Sequence, residues 1–186
     1  MIEHYDYLFK TMVQGDDEVG KETSMRNYTK TWFREDYKMT IGAGFLTKSI
    51  EVETKDGVKV CKLQIWIMSE QHRFSSIRPM YYRGTSGVFL MFDLANHLTF
   101  ERLPNWIKEV KENLKIEIPI LIVGNKSDLV DQRVVSKDEI EQFIKEYNLE
   151  SIEVSAKTGT GLDESFRFLA RLMIENFNNI RKLLIH

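Results

Sequence analysis

Near the beginning of the chain, two glycines and a lysine follow an apolar segment with the spacing G-x-x-x-x-G-K. Residues 7–14 have the pattern of a strand, and residues 23–32 have the pattern of a polar helix. The motif between them consists of Gly15, Gly20 and Lys21. In this order, loop N–H groups and the helix N-terminus form an anion site, and the lysine can reach the β- and γ-phosphates of a nucleotide. The alternative is a glycine turn beside a solvated lysine, and the strand–loop–helix context favours the phosphate loop.

Strand patterns and helical patterns alternate along the rest of the chain. The predicted strands lie at residues 7–14, 45–52, 58–67, 87–94, 118–124 and 151–154. Asp56-Gly57 between the second and third strands is a hairpin signal, whereas the fourth and fifth strands are nearly continuous apolar runs, as in a parallel sheet. Apolar residues spaced by three and four, which we attribute to core packing, predict helices over residues 100–110, 140–147 and 162–177. The sequence therefore predicts an α/β fold, a doubly wound and mostly parallel six-stranded sheet with one antiparallel hairpin edge strand.

The length, charge and cysteine content of the chain exclude several kinds of function. The length of 186 residues predicts one domain over residues 1–186, and 26 basic against 28 acidic residues give a net charge of −2. That balance argues against nucleic acid or an anionic membrane as a general electrostatic partner. Cys61 is the one cysteine in the sequence, which excludes an internal disulfide and a cysteine-based zinc site. Because no apolar run reaches ~18 residues and residues 1–6 lack the layout of a signal peptide, we expect a cytoplasmic protein. We also expect a monomer.

Two polar motifs follow the later predicted strands. Asn125-Lys126-Ser-Asp128 follows the fifth strand, and the Asp128 carboxylate can accept both N–H groups of the N1/N2 edge of guanine, which adenine does not present. Asn125 can supply amide contacts, and the aliphatic stem of Lys126 can lie over the base. Residues 155–157 (Ser-Ala-Lys) follow the last strand, where a loop amide can contact guanine O6. Each motif alone is compatible with an ordinary polar turn, but together, after a phosphate loop, they predict a guanine-nucleotide site.

In this order, the motifs resemble those of Rab-like proteins in the Ras superfamily of small GTPases, over about residues 7–177. Asp93 also fits the family pattern at the end of the fourth strand. The segments similar to the Rab switch motifs are residues 41–45 (IGAGF), 62–66 (KLQIW), 73–77 (RFSSI) and 81–84 (YYRG). The resemblance implies the P-loop small GTPase fold, GDP and GTP as ligands, and GTP hydrolysis. It also implies effector or regulatory proteins that bind through residues 38–45 and 66–84.

The resemblance assigns roles to individual residues. Phe33 matches the aromatic residue that packs on guanine, and Thr40 matches the threonine that meets Mg²⁺ and the γ-phosphate. Gln71 matches the glutamine that positions the attacking water, and it joins Lys21 and Thr40 as a catalytic residue. An ordinary solvated side chain remains the alternative for Gln71. The implied nucleotide-binding residues are Gly15, Asp17, Glu18, Val19, Gly20, Lys21, Glu22, Thr23, Phe33, Thr40, Asn125, Lys126, Asp128, Ser155, Ala156 and Lys157.

Three positions depart from the family pattern around the metal and the γ-phosphate. Glu22 stands where the motif has Ser or Thr, whose hydroxyl binds Mg²⁺, and the side chain of Thr23 is turned about 100° away on the helix. Ile67 stands where the family has the aspartate that holds a Mg²⁺-bound water, and Glu70 stands where it has a glycine. Thr40 is the family ligand that remains, and Glu22 is an alternative direct ligand because Mg²⁺ prefers oxygen. We therefore expect Mg²⁺ to be weakly held.

The phosphate loop is also acidic, because Asp16, Asp17, Glu18 and Glu22 all lie in or beside it. A carboxylate ~4 Å from a phosphate costs on the order of 1–4 kcal/mol, depending on the effective dielectric. The side chains can point to solvent while the loop amides still face the ligand. We therefore expect weaker phosphate affinity without loss of binding. Asp17 in addition stands where a side chain crowds Gln71 in the Ras branch of the family.

Two functions of different classes follow from these observations. The first is a guanine-nucleotide-binding switch with slow, impaired or partner-dependent GTP hydrolysis. The second is a pseudo-GTPase, a protein-interaction module whose switches stay in one conformation. An ATP-using P-loop enzyme is a third interpretation, which the motif at residues 125–128 disfavours. Rab relatives usually end in prenylated cysteines and this sequence does not, so we expect no lipid anchor in this chain.

Overall fold

The computed structural model describes residues 4–30, 43–69 and 76–185. The strands are β1 (Tyr7–Gly15), β2 (Ala43–Thr54), β3 (Gly57–Met68), β4 (Thr85–Asp93), β5 (Ile120–Asn125) and β6 (Glu150–Glu153). The helices are α1 (Lys21–Thr29), α2 (Arg78–Tyr82), α3 (His97–Glu101), α4 (Leu103–Asn113), α5 (Lys137–Tyr147) and α6 (Leu162–Ile185), with a 3₁₀ turn at Val130–Gln132. Across these three ranges, no helix combines the length and the apolar character needed to cross a membrane.

The six strands form one sheet in the order β2-β3-β1-β4-β5-β6. β2 and β3 pair antiparallel as a hairpin, and every other neighbouring pair is parallel. This arrangement confirms the predicted fold class, including the antiparallel edge strand. After β1, the chain forms β2 and β3 on one side of β1 and then crosses to form β4 on the other side. The strand order therefore reverses at β1. In open α/β sheets, ligands bind at the carboxyl ends of the strands beside such a reversal, and the loop that begins at Gly15 lies there.

Two apolar cores cover the two faces of the sheet. On one face, Met25 of α1 and Phe166 of α6 pack with Val13 of β1. On the other face, Trp106 of α4 and Ile140 of α5 pack around β4 and β5. Burial on both faces explains why β4 and β5 are nearly continuous apolar runs. The phosphate loop is therefore attached to the most buried part of the molecule.

Some predicted boundaries differ from the structure for local reasons. The apolar stripe over residues 100–110 belongs to two helices, because α3 ends at Glu101 and α4 begins at Leu103, with Pro104 in its first turn. Helix α1 begins at Lys21, two residues before the predicted start. Helix α2 was not predicted, because five residues are too few to show a helical period.

Candidate functional site

Gly15 and Gly20 of the phosphate loop cannot be replaced by a larger residue without strain, because of their backbone angles and the atoms packed against them. Gly15 has φ of 139°, and a Cβ there would collide with the main-chain oxygen of Met91 on β4. Gly20 has φ of 91°, and a Cβ there would collide with the side-chain amide of Asn125. Both angles lie in the region that favours glycine. The loop is therefore held against β4 on one side and against the end of β5 on the other.

Lys21 is buried and lies across the loop from which it comes. Its Nζ donates to the main-chain oxygens of Gly15 at 2.8 Å and of Asp16 at 2.6 Å. Only 6% of the residue is exposed. These contacts fix an ammonium group at the centre of the loop, where it can neutralise a bound phosphate.

Asn125 joins the phosphate loop to the loop at residues 155–157. Its Nδ2 donates to the main-chain oxygen of Val19 at 2.8 Å, and its Oδ1 accepts from the main-chain N–H of Ala156 at 2.9 Å. Asn27 of α1 donates to the main-chain oxygen of Ala156 at 3.0 Å. Asn125 is fully buried. Its amide therefore holds the motif loops together as one unit, a role that spacing alone did not indicate.

Asp128 and Ser155 form the most direct candidate for base recognition. Ser155 Oγ donates to Asp128 Oδ1 at 2.6 Å, and the main-chain N–H of Thr158 donates to Ser155 Oγ at 3.1 Å. The hydrogen bond from Ser155 lowers the pKa of the Asp128 carboxyl, and nearby lysines act in the same direction. Asp128 is therefore an oriented, ionised carboxylate that can accept the two N–H groups of a guanine edge.

Lys126 is held by an acidic residue at the end of the neighbouring strand. Its Nζ lies 2.7 Å from Asp93 Oδ2, and Asp93 Oδ1 accepts from the main-chain N–H of Ala95 at 2.8 Å. Lys126 has φ of 68°, in the left-handed region. The ammonium is thus anchored at the carboxyl end of β4, which orients the aliphatic stem of Lys126.

The acidic residues of the phosphate loop have different environments. Asp16 is buried, and its carboxylate accepts from Trp106 Nε1 at 2.9 Å and Arg102 Nη1 at 2.8 Å. Asp17 and Glu18 are exposed. Glu18 has φ of 59°, which costs about 1–2 kcal/mol for a residue with a Cβ. The contacts of Asp16 were missed from the sequence, because the two partners lie on distant segments.

Three further predicted site residues are Glu22 and Thr23 at the start of α1 and Lys157 in the loop after β6. Glu22 lies 3.6 Å from Arg26 in an i,i+4 ion pair. Thr23 is exposed, and Lys157 is exposed at the far side of the site. The carboxylate of Glu22 thus has a cationic neighbour one helical turn away.

The end of β3 contains no oxygen ligand at the position where the family has an aspartate. Ile67 is 1% exposed and packs in the apolar core with Val13 of β1. Among the residues that the structure describes, no group of three or more His, Cys, Asp or Glu side chains is arranged to hold a metal ion. Ile67 therefore supplies no oxygen where the family has its aspartate.

An ion-pair cluster joins α2 to α4 beside the phosphate loop. Arg78 Nε lies 2.8 Å from Glu109 Oε1, and Arg78 Nη2 donates to Glu109 Oε2 at 3.1 Å. Tyr82 donates to Glu109 Oε1 at 3.0 Å, and Gln14 of β1 donates to the Tyr82 hydroxyl. The Arg78 guanidinium also lies 5.2 Å from the centre of the Trp106 ring. Helix α2 is thus held to α4 by charge-assisted hydrogen bonds.

An aromatic patch crosses β2, β3 and α2 on the surface. The ring centres of Phe45 and Trp66 are 5.1 Å apart, and those of Trp66 and Tyr81 are 5.7 Å apart. Phe45 is 42% exposed, and Met80, which precedes Tyr81 in the sequence, is 76% exposed. Lys10 lies 4.8 Å from the centre of the Trp66 ring on the sheet side. Phe45, Trp66 and Tyr81 form one connected aromatic surface within the segments expected to bind proteins.

Several predicted site residues lie outside the residues that the structure describes. They are Phe33, Thr40, Glu70 and Gln71. Their assigned roles remain predictions. The described residues bring the phosphate loop, Asn125, Lys126, Asp128 and the loop at residues 155–157 together at the carboxyl ends of β1, β4, β5 and β6.

A doubly wound sheet with these motifs in this order defines a small GTPase of the P-loop type. The model of the Ras family matches residues 10–175 of the chain. Ras-related protein Rab-8B from Pongo abelii is 38% identical over 178 residues, which cover 96% of this chain and 84% of that protein. The chain belongs to the Ras family and is Rab-like within it. This family uses GDP, GTP and Mg²⁺ and binds effector and regulatory proteins, so the resemblance read from the sequence is confirmed.

Proposed function

We propose that this chain is a guanine-nucleotide-binding switch that binds GDP and GTP, holds Mg²⁺ weakly, and hydrolyses GTP slowly or with the help of a partner protein. The observation that carries the proposal is a contrast within one site. On the guanine side, Asn125 ties the motif loops together and Asp128 is oriented by Ser155. On the metal side, Ile67 closes the end of β3 with a buried apolar side chain.

Nucleotide binding is supported by the position of Lys21 and by the chemistry of Asp128. Lys21 places a positive charge inside a loop whose amides follow β1 directly. An ionised carboxylate accepts two hydrogen bonds from the N1–H and N2–H groups of guanine, whereas the corresponding edge of adenine presents the N1 acceptor and a C2–H, which donate no such bonds. The site therefore favours guanine nucleotides over ATP.

Weak Mg²⁺ binding is supported by the loss of oxygen ligands. Mg²⁺ requires near-octahedral coordination by oxygen atoms, and neither Ile67 nor the Arg26-paired Glu22 reproduces the family arrangement. Phosphoryl transfer depends mainly on positioning and on neutralising the developing charge. A site with fewer metal ligands should therefore lose hydrolysis rate more than it loses guanine recognition.

A competition experiment with labelled GDP tests the nucleotide specificity. Protein loaded with labelled GDP should release it in the presence of excess unlabelled GDP or GTP, but not in the presence of the same concentration of ATP. Asp128→Ala should weaken GDP binding about a hundredfold or more, because two charge-assisted hydrogen bonds are lost. Asp131→Asn, in the exposed 3₁₀ turn, is the matched control and should bind GDP like the unchanged protein. Efficient displacement by ATP, or an Asp128→Ala variant with unchanged affinity, would contradict the proposal.

A second candidate function, the pseudo-GTPase interaction module, is favoured by the Arg78–Glu109 ion pair. This pair and the Tyr82 hydroxyl hold α2 against α4 through contacts within the protein. Hydrogen exchange of residues 76–84 with GDP, with a GTP analogue and without nucleotide separates the two functions. A switch changes its protection with the γ-phosphate, whereas a module gives three equal profiles and releases no phosphate from GTP.

The aromatic patch supports a role in binding effector or regulatory proteins. Phe45, Trp66 and Tyr81 present a connected apolar surface within residues 38–45 and 66–84. Exposed apolar clusters of this kind mark protein-interaction sites. We infer that one domain, acting as a monomer in the cytoplasm, presents this patch to its partners.

A further inference from the structure

Asp16 connects the phosphate loop to the helical layer in two ways. Its main-chain oxygen accepts from Lys21 Nζ at 2.6 Å, so Asp16 helps to place the phosphate-binding ammonium. Its carboxylate points away from this contact into a cleft of about 320 Å³ that Asp17 and Arg102 also line. The residue is only 9% exposed. A buried negative charge therefore lies directly beside a loop that has to accept a polyphosphate.

The two partners of the Asp16 carboxylate contribute differently. Trp106 Nε1 donates a hydrogen bond to Oδ1 at 2.9 Å, but the indole is neutral. Arg102 Nη1 donates to Oδ2 at 2.8 Å and supplies a positive charge. A carboxylate removed from water is costly unless it is paired. Arg102 therefore neutralises Asp16, whereas Trp106 orients it.

The fold fixes the position of Arg102 more firmly than that of an ordinary surface arginine. Arg102 lies at the junction of α3 and α4, where its main-chain N–H donates to the Leu98 oxygen at 3.2 Å. The next residue, Leu103, is fully buried and anchors the beginning of α4. The side chain is 52% exposed, and its inner edge reaches the phosphate loop. The break between the two helices thus brings a cation to Asp16 across 86 residues of sequence.

We propose that Arg102 is a positioning residue for the nucleotide: it neutralises the buried Asp16 carboxylate, which keeps the phosphate loop compatible with a polyphosphate. This inference rests on the proposed nucleotide binding. Without Arg102, the negative charge of Asp16 adds to that of the ligand. The resulting repulsion grows with the number of phosphate charges. A simple loss of loop structure, in contrast, weakens the binding of all guanine nucleotides by the same factor.

The test measures the dissociation constants of GMP, GDP and a non-hydrolysable GTP analogue, without Mg²⁺ and at low salt. The variants are Arg102→Gln, Arg102→Lys, Asp16→Asn and the double variant Arg102→Gln/Asp16→Asn. At a separation on the order of 10 Å, Coulomb's law with an effective dielectric constant of about 25–80 gives a loss of about twofold to tenfold per unit of ligand charge. Arg102→Gln should therefore weaken the binding of the GTP analogue most and the binding of GMP least.

The remaining variants separate charge from packing. Arg102→Lys keeps the charge and should restore most of the affinity, and Asp16→Asn should rescue Arg102→Gln because no carboxylate is left to neutralise. Lys108→Gln, which removes an exposed lysine of α4 that pairs with Glu112 at 3.8 Å, is the matched control and should bind all three nucleotides normally. Raising the salt concentration should shrink the effect of Arg102→Gln, since exposed charge is screened.

The outcomes distinguish this inference from the proposed function. An unchanged protein that binds none of the three nucleotides contradicts both. If the unsubstituted protein binds the nucleotides, two results overturn only the role of Arg102. One is that Arg102→Gln weakens the binding of all three nucleotides equally, and the other is that Asp16→Asn does not restore binding to Arg102→Gln. Thermal unfolding of each variant shows whether it is folded, and Arg102→Lys still gives the answer if Arg102→Gln is unstable.

Discussion

The ion pair between α2 and α4 predicts a large stability loss when Glu109 is replaced by alanine. Glu109 accepts from both Arg78 and Tyr82, and the side chains of Arg78 and Glu109 are 12% and 26% exposed. Breaking a mostly buried pair costs more than the pair contributes, because the Arg78 guanidinium is left beside Trp106 without its carboxylate. We expect Glu109→Ala to lower the free energy of unfolding by about 2–3 kcal/mol.

The same helix supplies a matched control. Glu112 lies 3.8 Å from Lys108 in an exposed i,i+4 pair, with 63% of its side chain exposed. Glu112→Ala should cost no more than about 0.5 kcal/mol. Urea unfolding of both variants gives the difference, and for a chain of this size 1 kcal/mol corresponds to about 2–4 °C in the melting temperature.

A double-mutant cycle then isolates the contact itself. Arg78→Gln, Glu109→Gln and the double variant should give a coupling energy of about 1–2 kcal/mol. Hydrogen exchange should show that α2 opens more often in Glu109→Ala than in Glu112→Ala. Equal losses for the two alanine variants, or a coupling energy near zero, would refute the inference that this pair holds α2 in place.

Two further predictions concern the phosphate loop and the helix layer. Gly20→Ala should lower the free energy of unfolding by about 2–4 kcal/mol, because φ is positive there and a Cβ would collide with the Asn125 amide. Gly84 has φ of 75° but open space around it, so the control variant Gly84→Ala should lower the free energy of unfolding by only about 1 kcal/mol. Equal urea midpoints for the two variants would contradict this prediction. His97 is hydrogen-bonded to Glu139, which raises the pKa of His97, while the Ser136 hydroxyl and His97 lower the pKa of Glu139 to about 2. The pair should therefore stabilise the fold fully between about pH 4.3 and pH 6.5, and lose this contribution as the pH rises through the raised pKa of His97. The difference in melting temperature between the unchanged protein and His97→Gln should thus be larger at pH 5.5 than at pH 8, and a constant difference would contradict it.

The sequence predicted those structural features that depend on residues close together in the chain. The phosphate loop could be placed because Gly15, Gly20 and Lys21 are local to one strand–loop–helix unit, and the buried runs of β4 and β5 are continuous in sequence. The hairpin of β2 and β3 could be placed because Asp56-Gly57 marks its turn. In each case the pattern and the structure involve the same few consecutive residues.

Contacts between distant segments could not be predicted. Pro104 is a local signal for the break between α3 and α4, but nothing in the apolar stripe from Phe100 to Val110 indicates that Arg102 reaches Asp16. Asn125 was expected to contact the ligand, and the structure adds contacts to Val19 and Ala156, which depend on how three loops meet in space. A lone arginine or asparagine carries no period or spacing that would reveal such a partner.

Isothermal titration of nucleotide-free protein with GDP, in Mg²⁺ and in a chelator, is the decisive test of the proposed weak Mg²⁺ binding. Because Ile67 is buried and contributes no oxygen at the end of β3, we expect Mg²⁺ to change the GDP dissociation constant by less than about threefold, or less than ~0.7 kcal/mol. A gain in GDP affinity of a hundredfold or more on adding Mg²⁺ would show an intact metal site and contradict the proposed weak Mg²⁺ binding.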